Sequence, residues 1–278
     1  MNCCHNCTIY PTTDIAGVFY STAPISMGQH MRKIAFIAGG YGPLAPELKR
    51  RLAILQAAAS SGTEIDMYGG KGSIESRKGE YKGTGKFEAI ESEYDLAYAF
   101  PGEVKVVVEA EEEGYDAVIL ACGGDPGLFG VREAVSIPVV APGTTARHVC
   151  SLICHKFTLL TAGRHGPVKM LLEHEQPHGL GRWVSTRSIG LGVLDVRERP
   201  EEAYEATLRE AKAATAEEGS DAFTYGCMSM AFLDMDRRLE KELKVPFVNP
   251  AKVAVRMAEM YIDLGVRHSK ITFPTPRK

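Results

Sequence analysis

The chain has 278 residues, of which 45% are hydrophobic and 24% are charged, and its formal net charge is -3. This composition excludes disorder over most of the chain, because it supplies enough apolar surface for a folded core. The balanced charge argues against a nucleic-acid-binding protein, and no apolar run reaches the roughly 18 residues that a membrane span needs. The seven cysteines are an odd number, so they cannot all be paired within the chain.

Residues 1–30 differ in character from the rest of the chain. Three of the seven cysteines lie within the first seven residues, beside His5. A closed zinc site would need a second pair of ligands, and none is near in sequence, so we predict no metal site. The segment lacks the basic start of a secretory signal, and prolines interrupt its apolar residues. We interpret residues 1–30 as an N-terminal extension or leader, with the folded protein beginning near Met31.

From Met31 onwards, short apolar runs alternate with helical patterns. The predicted strands are 33–38, 64–68, 117–122, 137–140, 157–161, 189–193, 222–227 and 247–248. The predicted helices are 45–59, 103–113, 145–155, 201–218, 230–243 and 251–264. Alternation of this kind is typical of a mostly parallel sheet with helices on both faces.

An internal repeat divides this pattern into two halves. Residues 112–122 and 217–227 each run from a helix end through a Gly stop and a short strand to a cysteine, and six of the eleven positions are identical. We therefore predict an α/β fold with two similar lobes. The predicted lobes are 31–138 together with 246–270, and 139–245, followed by a tail at 271–278.

The repeat places Cys122 and Cys227 at equivalent strand ends. Ligands of open α/β sheets bind outside the carboxyl ends of the strands, so two facing lobes would put a thiol on each side of one cleft. Inversion of a carbon centre needs a base on one face and an acid on the other, and thiolate and thiol can exchange these roles. Two alternatives stay open at this point: both are small buried core residues, or they form a redox pair. Cys150 and Cys154 share a helix face with apolar residues, and we predict that they belong to the core.

The stretch from Gly114 to Leu128, with Cys122-Gly-Gly-Asp-Pro-Gly at its centre, resembles the first cysteine motif of the hydantoin racemases, which belong to the aspartate/glutamate racemase superfamily. Further matching segments are Ser73–Ser76, Ile137–Val140, His148, Gly226-Cys227 with Met230-Ala231, and Leu264–Lys270. The resemblance runs in order through nearly the whole of 31–270. It implies two flavodoxin-like lobes related by a pseudo-twofold axis, an active site between them, no cofactor, and Cys122 and Cys227 as the catalytic acid and base.

Three loops depart from the family pattern. Gly39-Gly40-Tyr41-Gly42-Pro43 replaces an Asn-Pro-Asn motif, Thr144 stands where Glu is frequent, and Met228-Ser229 replaces Ala-Gly after the second cysteine. The predicted substrate-binding residues are Gly40, Tyr41, Gly123, Gly124, Asp125, Thr144, Thr145, Met228 and Ser229. For Asp125, orientation of its loop and contact with a ring N–H are both open.

The resulting prediction is a cytoplasmic racemase or epimerase that inverts a carbon α to a carbonyl, with homo-oligomerisation left open. Its small-molecule substrate would resemble hydantoin, allantoin or an amino acid. A related isomerase or decarboxylase that uses one thiol, and a two-lobed binding or redox-sensing module without catalysis, are the alternatives. We predict no cofactor, metal, nucleic acid or membrane partner.

Overall fold

A computed structural model describes residues 31–37, 45–69, 92–163 and 181–277. The predicted extension at 1–30, the loop with Gly40 and Tyr41, and the matching segment at 73–76 lie outside these residues. The strands are β1 Arg32–Ile37, β2 Thr63–Tyr68, β3 Ala117–Leu120, β4 Val139–Val140, β5 Phe157–Thr161, β6 Trp183–Ser188, β7 Ala222–Tyr225 and β8 Phe247–Val248. The helices are α1 Ala45–Ala58, α2 Glu93–Glu112, α3 Leu128–Ala134, α4 Pro142–Ile153, α5 Val193–Glu198, α6 Pro200–Glu218, α7 Met228–Ala231, α8 Asp236–Leu243 and α9 Pro250–Leu264.

The strands form two four-stranded parallel sheets with the same strand order. The first is β2-β1-β3-β4 and the second is β6-β5-β7-β8. The central strands of both sheets are continuous buried runs, as in Ala117–Leu120 and Ala222–Tyr225, because helices cover both of their faces. The predicted α/β fold with two similar lobes is confirmed.

The lobe boundaries stay a prediction, but strand pairing constrains them. Val139 pairs with Val118, so β4 extends the first sheet. Phe247 pairs with Phe223, so β8 extends the second sheet. Each sheet therefore takes its last strand from beyond the boundary that the sequence suggested.

The predicted strand at 189–193 was wrong. The strand is Trp183–Ser188, and the chain turns into α5 at Val193. β6 is an edge strand whose residues after Trp183 are half-buried or exposed, so polar residues are accommodated there. Ile189 and Leu191, which suggested a strand, are buried in the connection that follows it.

The predicted bounds of two helices were wrong, and one further helix was not predicted. The helix predicted at 103–113 begins at Glu93, where the Ser92 hydroxyl accepts a hydrogen bond from the Asp95 amide, and it continues through Pro101. The helix predicted at 230–243 is two helices, separated by a turn in which Asp234 has φ 57°. Helix α3 was not predicted, because seven residues are too few to show a periodic pattern.

One apolar core continues from the first sheet into the second. Phe36 of β1 meets the ring of Phe232, just after α7, edge-on with centroids 5.8 Å apart. Both are almost completely buried in a cluster that also contains Ile34, Leu160 and Tyr225. This shared packing fixes the ends of the two sheets relative to each other. No helix of the described residues is long and apolar enough to cross a membrane.

Candidate active site

Cys122 lies two residues beyond the end of β3, in the loop that leads to α3. The amide of Asp125 donates to the carbonyl oxygen of Cys122 at 3.2 Å, and Asp125 takes a left-handed conformation with φ 48°. Gly127 has φ 62°, and the ring of Phe100 on α2 fills the space that a Cβ at Gly127 would need. The loop is therefore held in one shape by its own turn and by α2.

The carboxylate of Asp125 joins this loop to the first turn of α4. It accepts hydrogen bonds from the amides of Gly143 and Thr144 at 2.9 and 2.5 Å, and from the Thr144 hydroxyl at 2.8 Å. The guanidinium of Arg147 lies 3.3 Å away, and both charged side chains are almost completely buried. The carboxylate thus satisfies amides that the start of a helix leaves unpaired. Of the two roles open for Asp125, these contacts support orientation of the loop.

Cys227 lies at the equivalent point, two residues beyond the end of β7, where it is the N-cap of α7. Its carbonyl oxygen accepts hydrogen bonds from the amides of Met230 and Ala231 at 3.1 and 3.2 Å. The start of α7 is therefore hydrogen-bonded to the backbone of Cys227.

The two cysteine loops touch. A Cβ built at Gly123 would overlap the carbonyl oxygen of Gly226 and lie 2.9 Å from its carbonyl carbon. Cys122 and Cys227 are the neighbours of these glycines; both are partly exposed, and no disulfide joins them. A charge on Cys227 raises the pKa of Cys122. The fold therefore brings the repeat-equivalent thiols together.

The electrostatic surroundings of the two thiols differ. Burial raises the pKa of Cys122, the amide of Gly124 opposes that rise with a hydrogen bond, and the carboxyl groups of Glu103 and Asp125 raise it further. Burial also raises the pKa of Cys227.

For Cys227, however, several groups act in the opposite direction. The hydrogen bonds from Ser229 and Met230 and the positive charge of Arg51 all lower its pKa. Cys122 thus has two carboxyl groups among the groups that raise its pKa, whereas Cys227 has a guanidinium among those that lower its pKa.

Arg51 and Glu103 were not among the predicted site residues. Arg51 lies on α1 between Leu48 and Leu55, on the stripe that packs into the core, and only 7% of it is exposed. Glu103 lies on α2 one turn before the buried Val107, and it is 1% exposed. A charged residue on the apolar face of a helix was the signal that could have found both.

The other predicted residues fall around the two loops. Gly123, Gly124, Thr144 and Thr145 lie on the Cys122 side, in the cysteine loop and at the start of α4. Met228 and Ser229, both buried, lie on the Cys227 side. Gly40 and Tyr41 lie outside the described residues. The predicted core positions of Cys150 and Cys154 are confirmed, at 0% and 7% exposure.

Metal ligands are not grouped in this region. Among residues 31–37, 45–69, 92–163 and 181–277, no set of three or more His, Cys, Asp or Glu side chains is arranged to hold a metal ion. The groups that converge here are two thiols, main-chain amides, hydroxyls, and four buried ionisable side chains, which are Arg51, Glu103, Asp125 and Arg147. Such a set suits proton transfer at a carbon centre next to a carbonyl.

Two parallel sheets whose equivalent loops meet at a pair of thiols define a two-lobed α/β enzyme fold, and comparison with known proteins agrees. The family model described as Asp/Glu/Hydantoin racemase matches residues 84–258. The hydantoin racemase of Pseudomonas sp. (strain NS671) is 36% identical over 194 residues, 68% of this chain and 76% of the relative. The hydantoin racemase of Rhizobium meliloti is 33% identical, and the match covers 68% of this chain and 78% of the relative. The chain therefore belongs to the Asp/Glu/Hydantoin racemase family, and the expected class, an isomerase of the racemase type, is confirmed.

Solved structures show the same architecture. The allantoin racemase from Klebsiella pneumoniae has a TM-score of 0.75 and 26% identity, covering 89% of this chain and 94% of its own. A mutant arylmalonate decarboxylase has a TM-score of 0.60 over 86% of this chain and 96% of its own, at 17% identity. The second similarity concerns the fold alone.

Proposed function

We propose that the protein is a cofactor-independent racemase that inverts a carbon α to a carbonyl, with Cys122 and Cys227 as the acid–base pair. The observation that carries this proposal is the contact between the two cysteine loops at Gly123 and Gly226. Two partly exposed thiols, Cys122 and Cys227, lie in those loops at equivalent places in the two halves of the fold. A planar substrate between them would present one face to each sulfur.

The reaction follows from this placement. The thiolate of one cysteine removes the α-proton, and the electrons move into the carbonyl group to give an enolate. The thiol of the other cysteine then donates its proton to the opposite face of the same carbon. Each turnover leaves the two sulfurs with exchanged protonation states, so the same pair serves the reverse direction. Burial that raises the pKa of both thiols makes each thiolate a stronger base for a weakly acidic carbon.

The substrate class that we propose is a cyclic ureide of the hydantoin or allantoin type. The support is similarity to hydantoin racemases across two thirds of the chain and to allantoin racemase structures across most of it. In such a ring the α-carbon lies next to a carbonyl whose developing negative charge main-chain amides can accept. We propose that Gly123, Gly124, Thr144, Thr145, Met228 and Ser229 provide the contacts.

Incubation with single enantiomers in deuterated water tests the proposal. The panel contains a 5-substituted hydantoin, allantoin and glutamate, each with an enzyme-free blank for spontaneous exchange. We expect early product of inverted configuration to carry deuterium at the α-carbon while recovered substrate keeps its proton, because separate groups handle the two faces. Equal labelling of substrate and product from the start would indicate a single base. Loss of a carboxyl group without inversion would indicate a decarboxylase.

A further inference from the structure

We propose that Arg51 and Glu103 are positioning residues that make the two thiols unequal, so that Cys227 loses its proton first and Cys122 rests as the protonated acid. This proposal rests on the proposed two-cysteine mechanism, because the order in which the thiols ionise matters to catalysis only if both of them take part. The inequality itself is a property of the protein without substrate. It therefore has a test of its own.

Arg51 lies beside the second cysteine loop. One of its guanidinium nitrogens lies 3.4 Å from the hydroxyl oxygen of Ser229, two residues after Cys227. The positive charge of Arg51 and hydrogen bonding by the Ser229 side chain both lower the pKa of Cys227. A buried cation beside this loop stabilises a thiolate there, because little water screens its charge.

The guanidinium of Arg51 is held in place from two other directions. Its Nε donates to the carboxylate of Glu47 at 2.9 Å, four residues earlier on α1. Its central carbon lies 4.8 Å from the centre of the Phe232 ring. These contacts fix the charge close to the second cysteine loop and leave it directed at that loop.

Glu103 has the opposite effect on Cys122. It is 1% exposed, and its Oε2 has no hydrogen-bond partner in the part of the chain that the structure describes. A buried carboxylate without a partner is costly, so the neutral acid is favoured. Burial and the nearby Asp125 raise the pKa of Glu103 to about 8. At higher pH its new negative charge opposes ionisation of Cys122.

The charged groups around each thiol come from several elements. Cys122 faces Glu103 of α2, Asp125 of its own loop and Cys227 of the other loop. Beyond Asp125 lies Arg147 of α4, which pairs with that carboxylate.

The surroundings of Cys227 are different. It faces Arg51 of α1, and the charge of Arg51 is in turn affected by Glu47 on the same helix and by Arg197 of α5. Cys227 therefore has a cation, Arg51, as its charged neighbour from outside its own loop, whereas Cys122 has the carboxyl group of Glu103 from outside its loop and that of Asp125 within it.

The kcat/KM ratio of the two enantiomers cannot reveal the inequality, because racemisation has equal amounts of both at equilibrium. Thiol reactivity can, since the thiolate is the species that alkylating agents attack. The test is therefore the rate of iodoacetamide modification of each cysteine in the full-length protein between pH 6 and 10. Peptide mass spectrometry separates Cys122 from Cys227.

In the wild-type protein we expect Cys227 to react faster than Cys122 throughout this range. Arg51→Gln should lower the rate at Cys227 about tenfold, which corresponds to one pKa unit, with little change at Cys122. Arg51→Lys keeps the charge and should restore part of the rate. Arg50→Gln removes a neighbouring charge on α1 that bonds to Glu47 and the Phe232 carbonyl, and it should leave Cys227 unchanged.

Glu103→Gln should leave the modification rate of Cys122 unchanged at pH 7, where Glu103 is already neutral. Above pH 9 it should raise that rate roughly threefold, which corresponds to about half a pKa unit. Glu112→Gln, an exposed change on the same helix, is the matched control. Circular dichroism shows which variants are folded.

Three results would overturn the proposal. The first is faster modification of Cys122 than of Cys227 in the wild type, and the second is an equal effect of Arg51→Gln on the modification rates of both thiols. The third is an unchanged modification rate of Cys122 at high pH in a folded Glu103→Gln variant. None depends on catalysis. If the two thiols differ in reactivity as expected while Cys122→Ser racemises normally, the two-cysteine function is contradicted, but the effect of Arg51 and Glu103 on the thiols is still supported.

Discussion

The main-chain carbonyl of Gly226 occupies the space that a side chain at Gly123 would need. This contact joins the first cysteine loop to the second. It explains why the residue after Cys122 is glycine, whereas a Cβ at Gly226 would instead meet the side chains of Leu159 and Thr161 on β5. The distance between the sulfurs depends on this approach, and so does any chemistry that needs both of them.

Gly123→Ala should therefore damage both stability and activity. The added methyl group pushes the loops apart, and overpacking of a tight contact costs about 1–3 kcal/mol. Thermal unfolding measures the stability, and racemisation of a single enantiomer by polarimetry measures the activity. Gly102→Ala, in α2 with nothing within 4 Å of its new Cβ, is the control and should be neutral or stabilising. A Gly123→Ala enzyme with wild-type kcat would show that the contact does not set the geometry.

Asp125→Asn should loosen the Cys122 loop. The amide cannot accept as many hydrogen bonds from Gly143 and Thr144, and it leaves the buried Arg147 without its opposite charge. Breaking a buried ion pair from one side costs about 3–5 kcal/mol, so we expect a large fall in the melting temperature together with loss of activity. Glu201→Gln removes a carboxylate from an exposed pair with Arg238 and should have no resolvable effect. Equal melting temperatures for the two variants would contradict the assigned role of Asp125.

His268 should contribute a pH-dependent part of the stability. Its Nε2 accepts a hydrogen bond from the amide of Val139 at 2.9 Å. Burial, with the positive charge of Arg132, lowers its pKa from 6.5 to about 4. The unfolded chain therefore takes up this proton first, so the contribution is complete above pH 6.5 and is lost as pH falls towards 4.

Comparison of wild type with His268→Gln checks this expectation. Between pH 7 and 4.5 the free energy of unfolding of the wild type should fall more steeply, by on the order of 1 kcal/mol after allowance for partial solvent exposure. Urea unfolding at several pH values measures the difference. Parallel curves for the two proteins would mean that His268 titrates normally.

Much of the fold could be predicted from local patterns. The buried runs of β1, β3, β5 and β7 and the repeat around the two cysteines gave the two lobes directly, because central parallel strands are apolar on both faces. Strand β6 was misplaced because an edge strand tolerates polar residues. Helix α7 merged with α8 in the prediction because the turn at Asp234 carries no glycine or proline.

The site could be predicted only in part. Cys122 and Cys227 stood out because the repeat marks them. Arg51 and Glu103 come to them from α1 and α2, far away in sequence, and no local motif links them to the thiols. Only packing of those helices against the cysteine loops shows that a buried guanidinium and a buried carboxyl group accompany the pair.

The most direct test of the account uses Cys122→Ser and Cys227→Ser with each pure enantiomer of the accepted substrate in deuterated water. Removal of either thiol should abolish racemisation, while each variant still exchanges the α-proton of the one enantiomer that faces its remaining cysteine, and the two variants should prefer opposite enantiomers. A fully active Cys227→Ser enzyme, or exchange of the same enantiomer by both variants, would contradict two-cysteine catalysis.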